Sequence, residues 1–134
     1  MIIRHANETR IPPAKASRFT GTATGDSILP ATDGVIINTI TFTPGSRTHW
    51  HHHENGQILR VDAGYGLICT EGLEPERLRP GDWVWVPPGE RHWHGAAPDS
   101  FLTHTAISLG ATVWHEEVSD VDYAADHPDE GHTR

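Results

Sequence analysis

Length, composition and charge limit what this chain can be. Its 134 residues suffice for one domain with one core, so we expect a single domain over residues 1–134. The formal net charge of −8 argues against nucleic acid or a membrane as partner, because either would need a basic face. The sequence has one cysteine, Cys69, which excludes an internal disulfide and a thiolate metal cluster. The opening MIIRHANETR lacks the apolar run of a signal peptide, so a cytoplasmic protein is expected by default.

Short strand-like segments follow one another along the chain, separated by glycine and proline turns. There are 13 glycines and 10 prolines, and no segment before residue 115 keeps apolar residues at helical spacing. This pattern is typical of an antiparallel barrel or sandwich and predicts an all-β fold. The predicted strands are VIINTITF (35–42), QILRVDA (57–63), YGLICT (65–70), DWVWVP (82–87) and FLTHTAISL (101–109).

The carboxyl-terminal part of the sequence has a different composition. Ser119 is suited to cap a short helix within VSDVDYAAD, with Asp120 and Asp122 in its first turn. The acidic residues that follow predict a solvated, disordered tail over about residues 124–134. The expected core of the domain therefore spans about residues 17–118.

Two pairs of histidines have the spacing of a metal site. His51 and His53 in HWHHHENGQ are two residues apart, so in a strand their side chains share one face. The turn at ENG can bring Gln57 back on the adjoining strand, and PPGERHWHG supplies the second pair, His92 and His94. A solvated surface strand is the usual explanation of a single His-x-His pair. Two pairs, both on strands beside glycine or proline turns, favour a bound metal ion.

The two pairs lie in segments that resemble the two motifs of the cupin family. The first motif is glycine, five residues, His-x-His, three or four residues, an acid, six residues and glycine, and it runs here from Gly45 to Gly64. The second is glycine, five residues, Pro-x-Gly, two residues, histidine, three residues and asparagine, with His92 as its histidine. Every spacing is kept, but Gln57 replaces the usual glutamate and Ala96 replaces the usual asparagine.

This resemblance, which covers about residues 35–109, implies a jelly-roll β-barrel, with the predicted short helix at its carboxyl end. It also implies a divalent transition metal as cofactor, and the ligand positions that carry over are His51, His53, Gln57 and His92. Three imidazoles and a neutral amide leave the ion its full charge, which favours Lewis-acid chemistry over oxidation chemistry. Manganese is expected, and iron, zinc, nickel and cobalt also accept such ligands.

A narrower resemblance covers about residues 17–123. The segments TFTPGSRTHWHHHENGQ, PGDWVWVPPGERHWHGAAPDSFLTHTAI and VSDVDY are similar to small bacterial cupins, which include manganese-dependent hydroxynitrile lyases and cupins associated with carboxymuconolactone decarboxylases. In the lyases a histidine on the strand after the second motif is the general base, and the matching residue is His104. Its spacing from Leu102 and Ala106 turns it inward, and the ordinary pKa of imidazole suits a base; a buried core histidine is the alternative. His94 is the second candidate catalytic residue, and it either lines the pocket or holds a metal ligand in place.

Three functions remain open on the sequence. The resemblance implies a metal-dependent lyase that cleaves or forms cyanohydrins, with the metal as Lewis acid and His104 as base. The alternatives are a metal-dependent dioxygenase or isomerase of a small hydroxylated or aromatic acid, and a non-catalytic cupin that binds a small ligand. Each has a small molecule as partner, and Arg47 either braces the fold or binds an anionic group of that molecule. Cupins commonly pair their sheets, and the five tryptophans leave apolar surface for an interface, so a homodimer or homotetramer is expected.

Overall fold

Strands dominate the computed structural model, which describes residues 1–6, 8 and 16–125. In this part of the chain there are twelve strands, one α-helix and one 3-10 turn, Ala16–Arg18. The all-β fold with a short carboxyl-terminal helix is therefore confirmed. The strands are β1 Phe19–Thr20, β2 Ala23–Thr32, β3 Val35–Phe42, β4 Arg47–Thr48, β5 His51–His53, β6 Gln57–Gly64, β7 Gly66–Thr70, β8 Glu76–Leu78, β9 Trp83–Val86, β10 His92–Ala96, β11 Leu102–Leu109 and β12 Thr112–Trp114, and the helix α1 is Asp120–Tyr123.

The strands form two antiparallel sheets, which we name sheet A and sheet B. In the seven-stranded sheet A, β10 pairs with β7 along one edge and with β4 and β5 along the other. Strand β8 extends the sheet beyond β7, while β1 and β12 extend it beyond β4 and β5. In the five-stranded sheet B the order is β2-β3-β11-β6-β9. Strands β10 and β11 thus lie inside their sheets, and each carries histidines.

Alternation along the strands decides which side chains face the interior between the sheets. In β11 every second residue from Leu102 to Ser108 is buried, while the residues between them are partly exposed. One buried apolar cluster joins side chains of both sheets and fills the interior at one end. Its members are Ile40, Phe42, Val61, Leu78, Ala96 and Leu102.

A second buried cluster lies on the outer face of sheet A. Trp93 alternates with two inward histidines in β10, so it points outward, and it is buried because the segment His115–Tyr123 covers it. Ser119 caps α1 as predicted, since its hydroxyl accepts a hydrogen bond from the N–H of Asp122 at 3.0 Å. The cluster consists of Trp50, Leu67, Cys69, Trp93, Val118 and Tyr123.

Arg47 ties this covering segment to sheet A. Its Nη2 donates to the carbonyl of Val118 at 2.8 Å and to Asp120 Oδ1 at 2.9 Å. The guanidinium carbon lies 4.5 Å from the centroid of the Tyr123 ring. Only 6% of Arg47 is exposed, and it does not line the cavity described below. Of its two interpretations, the structure therefore supports bracing of the fold.

Strand β2, the longest at ten residues, is the main element that the sequence prediction omits. It contains Gly25 and Pro30, which both weaken a strand pattern. Proline cannot donate a ladder hydrogen bond, and it is tolerated here because β2 lies at the edge of sheet B. The edge position, which the sequence does not show, thus explains the omission.

Residues 126–134 hold most of the predicted acidic tail and lie outside the described residues, so disorder there stays a prediction. The α-helix in the described part has four residues. No helix of that part is long and apolar enough to cross a membrane.

Candidate metal centre

Three histidines from two neighbouring strands of sheet A converge in the interior. His51 and His53 belong to β5 and His92 to β10, and strand pairing sets His92 directly opposite His51. Their candidate ligand atoms, one ring nitrogen from each, all lie within 4.8 Å of one another. The side chains are buried, with at most 2% of each residue exposed. The residue between the first two, His52, points to the opposite face, where its Nδ1 lies 2.9 Å from Nε2 of His115.

Backbone carbonyl groups decide which nitrogen of two of these rings is free. His51 Nδ1 donates to the carbonyl of His49 at 2.8 Å, and His92 Nδ1 donates to the carbonyl of Glu90 at 2.9 Å. Because a carbonyl oxygen only accepts, each Nδ1 carries the hydrogen and each Nε2 keeps a lone pair. Both lone pairs are therefore available to a metal ion.

Gln57 and His53 provide two further donor atoms. The amide nitrogen of Gln57 donates to Ser108 Oγ at 3.1 Å, which turns Oε1 toward His92 Nε2, 3.2 Å away. Two lone pairs that face each other at this distance repel unless a cation lies between them. His53 Nδ1 lies 2.9 Å from Thr112 Oγ1, and its Nε2 is buried without a hydrogen-bond partner among the described residues. These four donors fit a divalent transition metal ion, which accepts imidazole nitrogen and amide oxygen.

Burial keeps the three histidines of this group neutral. It lowers the pKa of His51 well below the ordinary value, lowers the pKa of His92, and lowers the pKa of His53 to about 3. Repulsion from neighbouring imidazoles acts in the same direction for each of them. Since histidine binds a metal in its neutral form, the group is ready to bind one at neutral pH.

His94 and His104 form a second pair of buried rings, which we call the histidine pair. They face each other from β10 in sheet A and β11 in sheet B, with His94 Nδ1 3.0 Å from His104 Nε2. The His94 ring lies 5.2 Å from the ring of His51, and Phe42 packs edge-on against His104 at 5.1 Å, both measured between centroids. Burial lowers the pKa of His104 to about 4 and that of His94 well below its ordinary value. The near-neutral pKa expected from the sequence is therefore not found for His104, because burial of the ring disfavours its charged form.

The outer nitrogens of the histidine pair are poised for proton transfer. His94 Nε2 and His104 Nδ1 are both buried without a hydrogen-bond partner in the described part of the chain. Two neutral imidazoles carry two hydrogens on four nitrogens, and one hydrogen lies in the contact between the rings. One outer nitrogen must then carry a hydrogen and the other a lone pair. The pair can accept a proton at one end while it donates at the other.

A cavity of about 540 Å³ runs from these rings to the surface. All the predicted site residues except His92 line it. Its walls are apolar and come mainly from sheet B and from aromatic rings, whereas exposed turn residues surround the mouth. The buried inner end consists of His51, His53, Gln57, His94, His104 and Ser108.

Sequence reasoning missed three residues that support the site. Ser108 orients the amide of Gln57, and its spacing from His104 in β11 is a usable signal for an inward side chain. Thr112 contacts His53, and the Trp114 ring packs on the ring of His51 at 4.6 Å between centroids. These two residues belong to β12, a three-residue strand that carries no motif.

Known proteins resemble the chain in sequence over most of its length. The family model described as Cupin domain matches residues 38–103. An (R)-mandelonitrile lyase of Granulicella tundricola is 46% identical over 114 residues, which cover 81% of this chain and 87% of that protein. An acireductone dioxygenase of Bacillus pumilus is 28% identical over 68 residues, which cover 48% of this chain and 39% of that protein.

Solved structures resemble it as well. A cupin-like protein of Thermotoga maritima superposes with a TM-score of 0.80 at 34% identity, covering 89% of this chain and 95% of the other. The two curled sheets described above are thus those of a known fold, and the resemblance that the histidine motifs indicated is confirmed. By fold, by both motifs and by its match to a lyase over most of its length, the chain belongs to the cupin family.

Proposed function

We propose that this protein is a metal-dependent lyase that cleaves and forms cyanohydrins. The observation that carries the proposal is the histidine pair, which lies beside the metal-binding group in the same cavity. The 46% identity to an (R)-mandelonitrile lyase supports the same reaction class. A cyanohydrin needs a base for its hydroxyl and a proton donor for departing cyanide, and the histidine pair offers both.

The proposed ligands are His51, His53, Gln57 and His92, and manganese is the metal that we propose. A divalent ion there would polarise the substrate hydroxyl and lower its pKa, more strongly with a neutral amide ligand than with a carboxylate. The chain contributes neutral imidazoles, and Ser108 keeps the amide oxygen of Gln57 directed at the group. The side chains of the group are buried at the inner end of the cavity, so a substrate would reach them through the cavity.

The proposed proton path uses His104 as the base. Its ring is neutral because burial lowers the pKa to about 4, so it can accept the hydroxyl proton of a bound cyanohydrin. The oxygen electrons then form the carbonyl, and the carbon–carbon bond breaks with its electron pair leaving on cyanide. His94 shares the added charge through the 3.0 Å contact. The histidine pair finally returns a proton to cyanide, so that hydrogen cyanide and an aldehyde leave and the pair is neutral again.

The test combines metal analysis with an assay on racemic mandelonitrile. His104→Ala is expected to keep its metal and to lower kcat/KM by about 10²–10⁴-fold, the usual cost of a lost acid–base group. The matched control is His115→Ala, which removes a histidine on the outer face of sheet A and should preserve both metal content and rate. The parent rate should fall as pH falls below the ordinary histidine range, since the base must be neutral. Equal rates for parent and His104→Ala would refute the base, and loss of metal would make His104 a ligand instead.

A dioxygenase is the second candidate, favoured by the similarity of half of this chain to an acireductone dioxygenase. Three histidines with an open side also suit an iron centre that reacts with dioxygen. Oxygen consumption on addition of a small hydroxylated acid, without cleavage of mandelonitrile, would favour this candidate over the lyase.

A further inference from the structure

The cavity mouth carries opposite charges at two separate places. Arg18 and Glu54 are the charged residues that line the cavity. They form no ion pair with each other, and no acidic residue in the described part of the chain pairs with Arg18. The guanidinium carbon of Arg18 lies instead 5.3 Å from the centroid of the Trp114 ring. Within the described ranges, this partly buried cation has no anionic partner.

Aromatic rings connect this cation to the inner end of the cavity. Trp114 lies 6.4 Å from Phe19, and Phe19 lies 5.8 Å from Phe42, between ring centroids. Phe42 in turn packs against His104, and Trp114 packs against His51. One wall of the cavity is thus a row of rings between the histidines and Arg18. Such a wall suits a flat apolar group, and the guanidinium of Arg18 lies over the Trp114 ring at the end of the wall.

We infer that Arg18 selects substrates that carry a carboxylate at the end remote from the reacting hydroxyl. This inference rests on the proposed function, which places the reacting hydroxyl of the substrate at the histidines. The substrate class is an aromatic hydroxy compound whose hydroxyl lies at the histidines, whose ring lies along the aromatic wall and whose carboxylate lies at Arg18. Guanidinium is suited to this role because it donates two parallel hydrogen bonds to a carboxylate. Glu54 also lines the cavity, and its carboxylate disfavours an anion close to it.

Binding of two unreactive probes tests the inference without any lyase activity. The probes are 4-(hydroxymethyl)benzoate and its neutral analogue 4-(hydroxymethyl)benzamide, titrated calorimetrically into the metal-loaded protein. The parent should bind the benzoate about 2- to 5-fold more tightly than the benzamide, within the range expected for a partly exposed ion pair. In Arg18→Gln the two affinities should become equal, while Arg18→Lys keeps part of the preference. In Glu54→Gln the preference should persist or grow.

The ratio of the two affinities shows whether Arg18 recognises the carboxylate or only supports the shape of the cavity wall. If Arg18 only shapes the wall, Arg18→Gln weakens both probes equally and the ratio stays, which overturns the inference. The ratio also stays if the benzoate binds through the metal, and that too overturns it. If neither probe binds the parent, the inference is wrong. The proposed function fails separately: an intact ratio in a protein that never cleaves mandelonitrile would leave carboxylate selection standing and remove the lyase.

Discussion

The identity of single side chains decides whether the centre can hold a metal. His52 and His53 are neighbours in one strand, yet His53 faces the interior and His52 faces away. We expect His53→Ala to lose most of its metal, since a ligand nitrogen disappears, and His52→Ala to keep it. Metal content by plasma mass spectrometry after dialysis measures both. Stoichiometric metal in the double variant His51→Ala, His92→Ala would show that the site lies elsewhere.

Gln57 is expected to set the strength of the Lewis acid. Gln57→Glu should retain metal, because a carboxylate also binds it, but should lower kcat/KM for mandelonitrile, because the added negative charge weakens polarisation of the hydroxyl. Ser108→Ala is the companion variant: it leaves the amide in place and removes the hydroxyl that orients it. We expect a smaller loss of rate for it. A Gln57→Glu rate at or above the parent rate would contradict the charge argument.

The sequence predicts which residues belong to the site better than it predicts their contacts, and the reason is physical. Alternation in a strand is local, so the spacing of the histidines is enough to propose His51, His53 and His92 as ligands. The contact between His94 and His104 depends on two different sheets facing each other, which no local pattern encodes. The stacking of Trp114 on a ligand ring is of the same kind. The sequence therefore predicts candidate ligand positions, but it does not predict the environment that lowers the pKa of His104.

At the scale of elements, the segment His115–Tyr123 stabilises sheet A from outside. The Tyr123 hydroxyl donates to the carbonyl of Ala96 at 2.6 Å, and burial raises the pKa of Tyr123 to about 12, so it stays protonated and can donate. Tyr123→Phe should lower the free energy of unfolding by about 1 kcal/mol, the usual net value of a hydrogen bond. Tyr65→Phe is the control, because Tyr65 is 47% exposed. Equal urea midpoints for the two variants would show that the hydroxyl contributes nothing.

The sequence predicts a strand correctly where the composition of the segment suits its position in the sheet. The runs at 35–42 and 101–109 correspond to β3 and β11, which lie inside sheet B and are rich in β-branched residues. Strand β12 and the two-residue strands carry too few residues for a periodicity to emerge. Their pairing comes from the sheet that they join, and that is a tertiary property.

For the whole molecule, buried histidines make folding depend on pH. The pKa of His104 is about 4 in the fold, against about 6.5 in the unfolded chain, so the unfolded chain binds the extra proton between these values. Stability should therefore be complete above pH 6.5 and fall as pH falls toward 4, by about 3 kcal/mol for this group. Denaturant unfolding of metal-free protein across this range measures the slope. His104→Gln should reduce this slope without abolishing it, because the other buried histidines also have lowered pKa values, and the exposed His5→Gln should leave the slope unchanged.

Assembly is the second property of the whole molecule. Four apolar side chains stand opposite one another on the outer face of sheet B: Ile37, Ile107, Ile58 and Trp85. Trp85 is 55% exposed, and the three isoleucines are partly exposed. We propose that two copies bury this face against each other and expect a dimer at micromolar concentration by light scattering. Trp85→Glu should weaken the dimer while Val113→Glu, on sheet A, leaves it intact. A monomeric parent would refute the assembly.

The direct pairing of His51 with His92 also constrains which changes of length the gene can tolerate. Two residues separate β4 from β5. Deleting one of them would shift β5 by one position, turning His52 inward and two proposed ligands outward in a single step. Substitutions can alter the cavity walls gradually, but an insertion or deletion here displaces two of the four proposed ligands at once. We therefore expect descendants of this sequence to vary in length at the exposed turn between β2 and β3, and to keep the count of residues from Thr48 to His53 fixed.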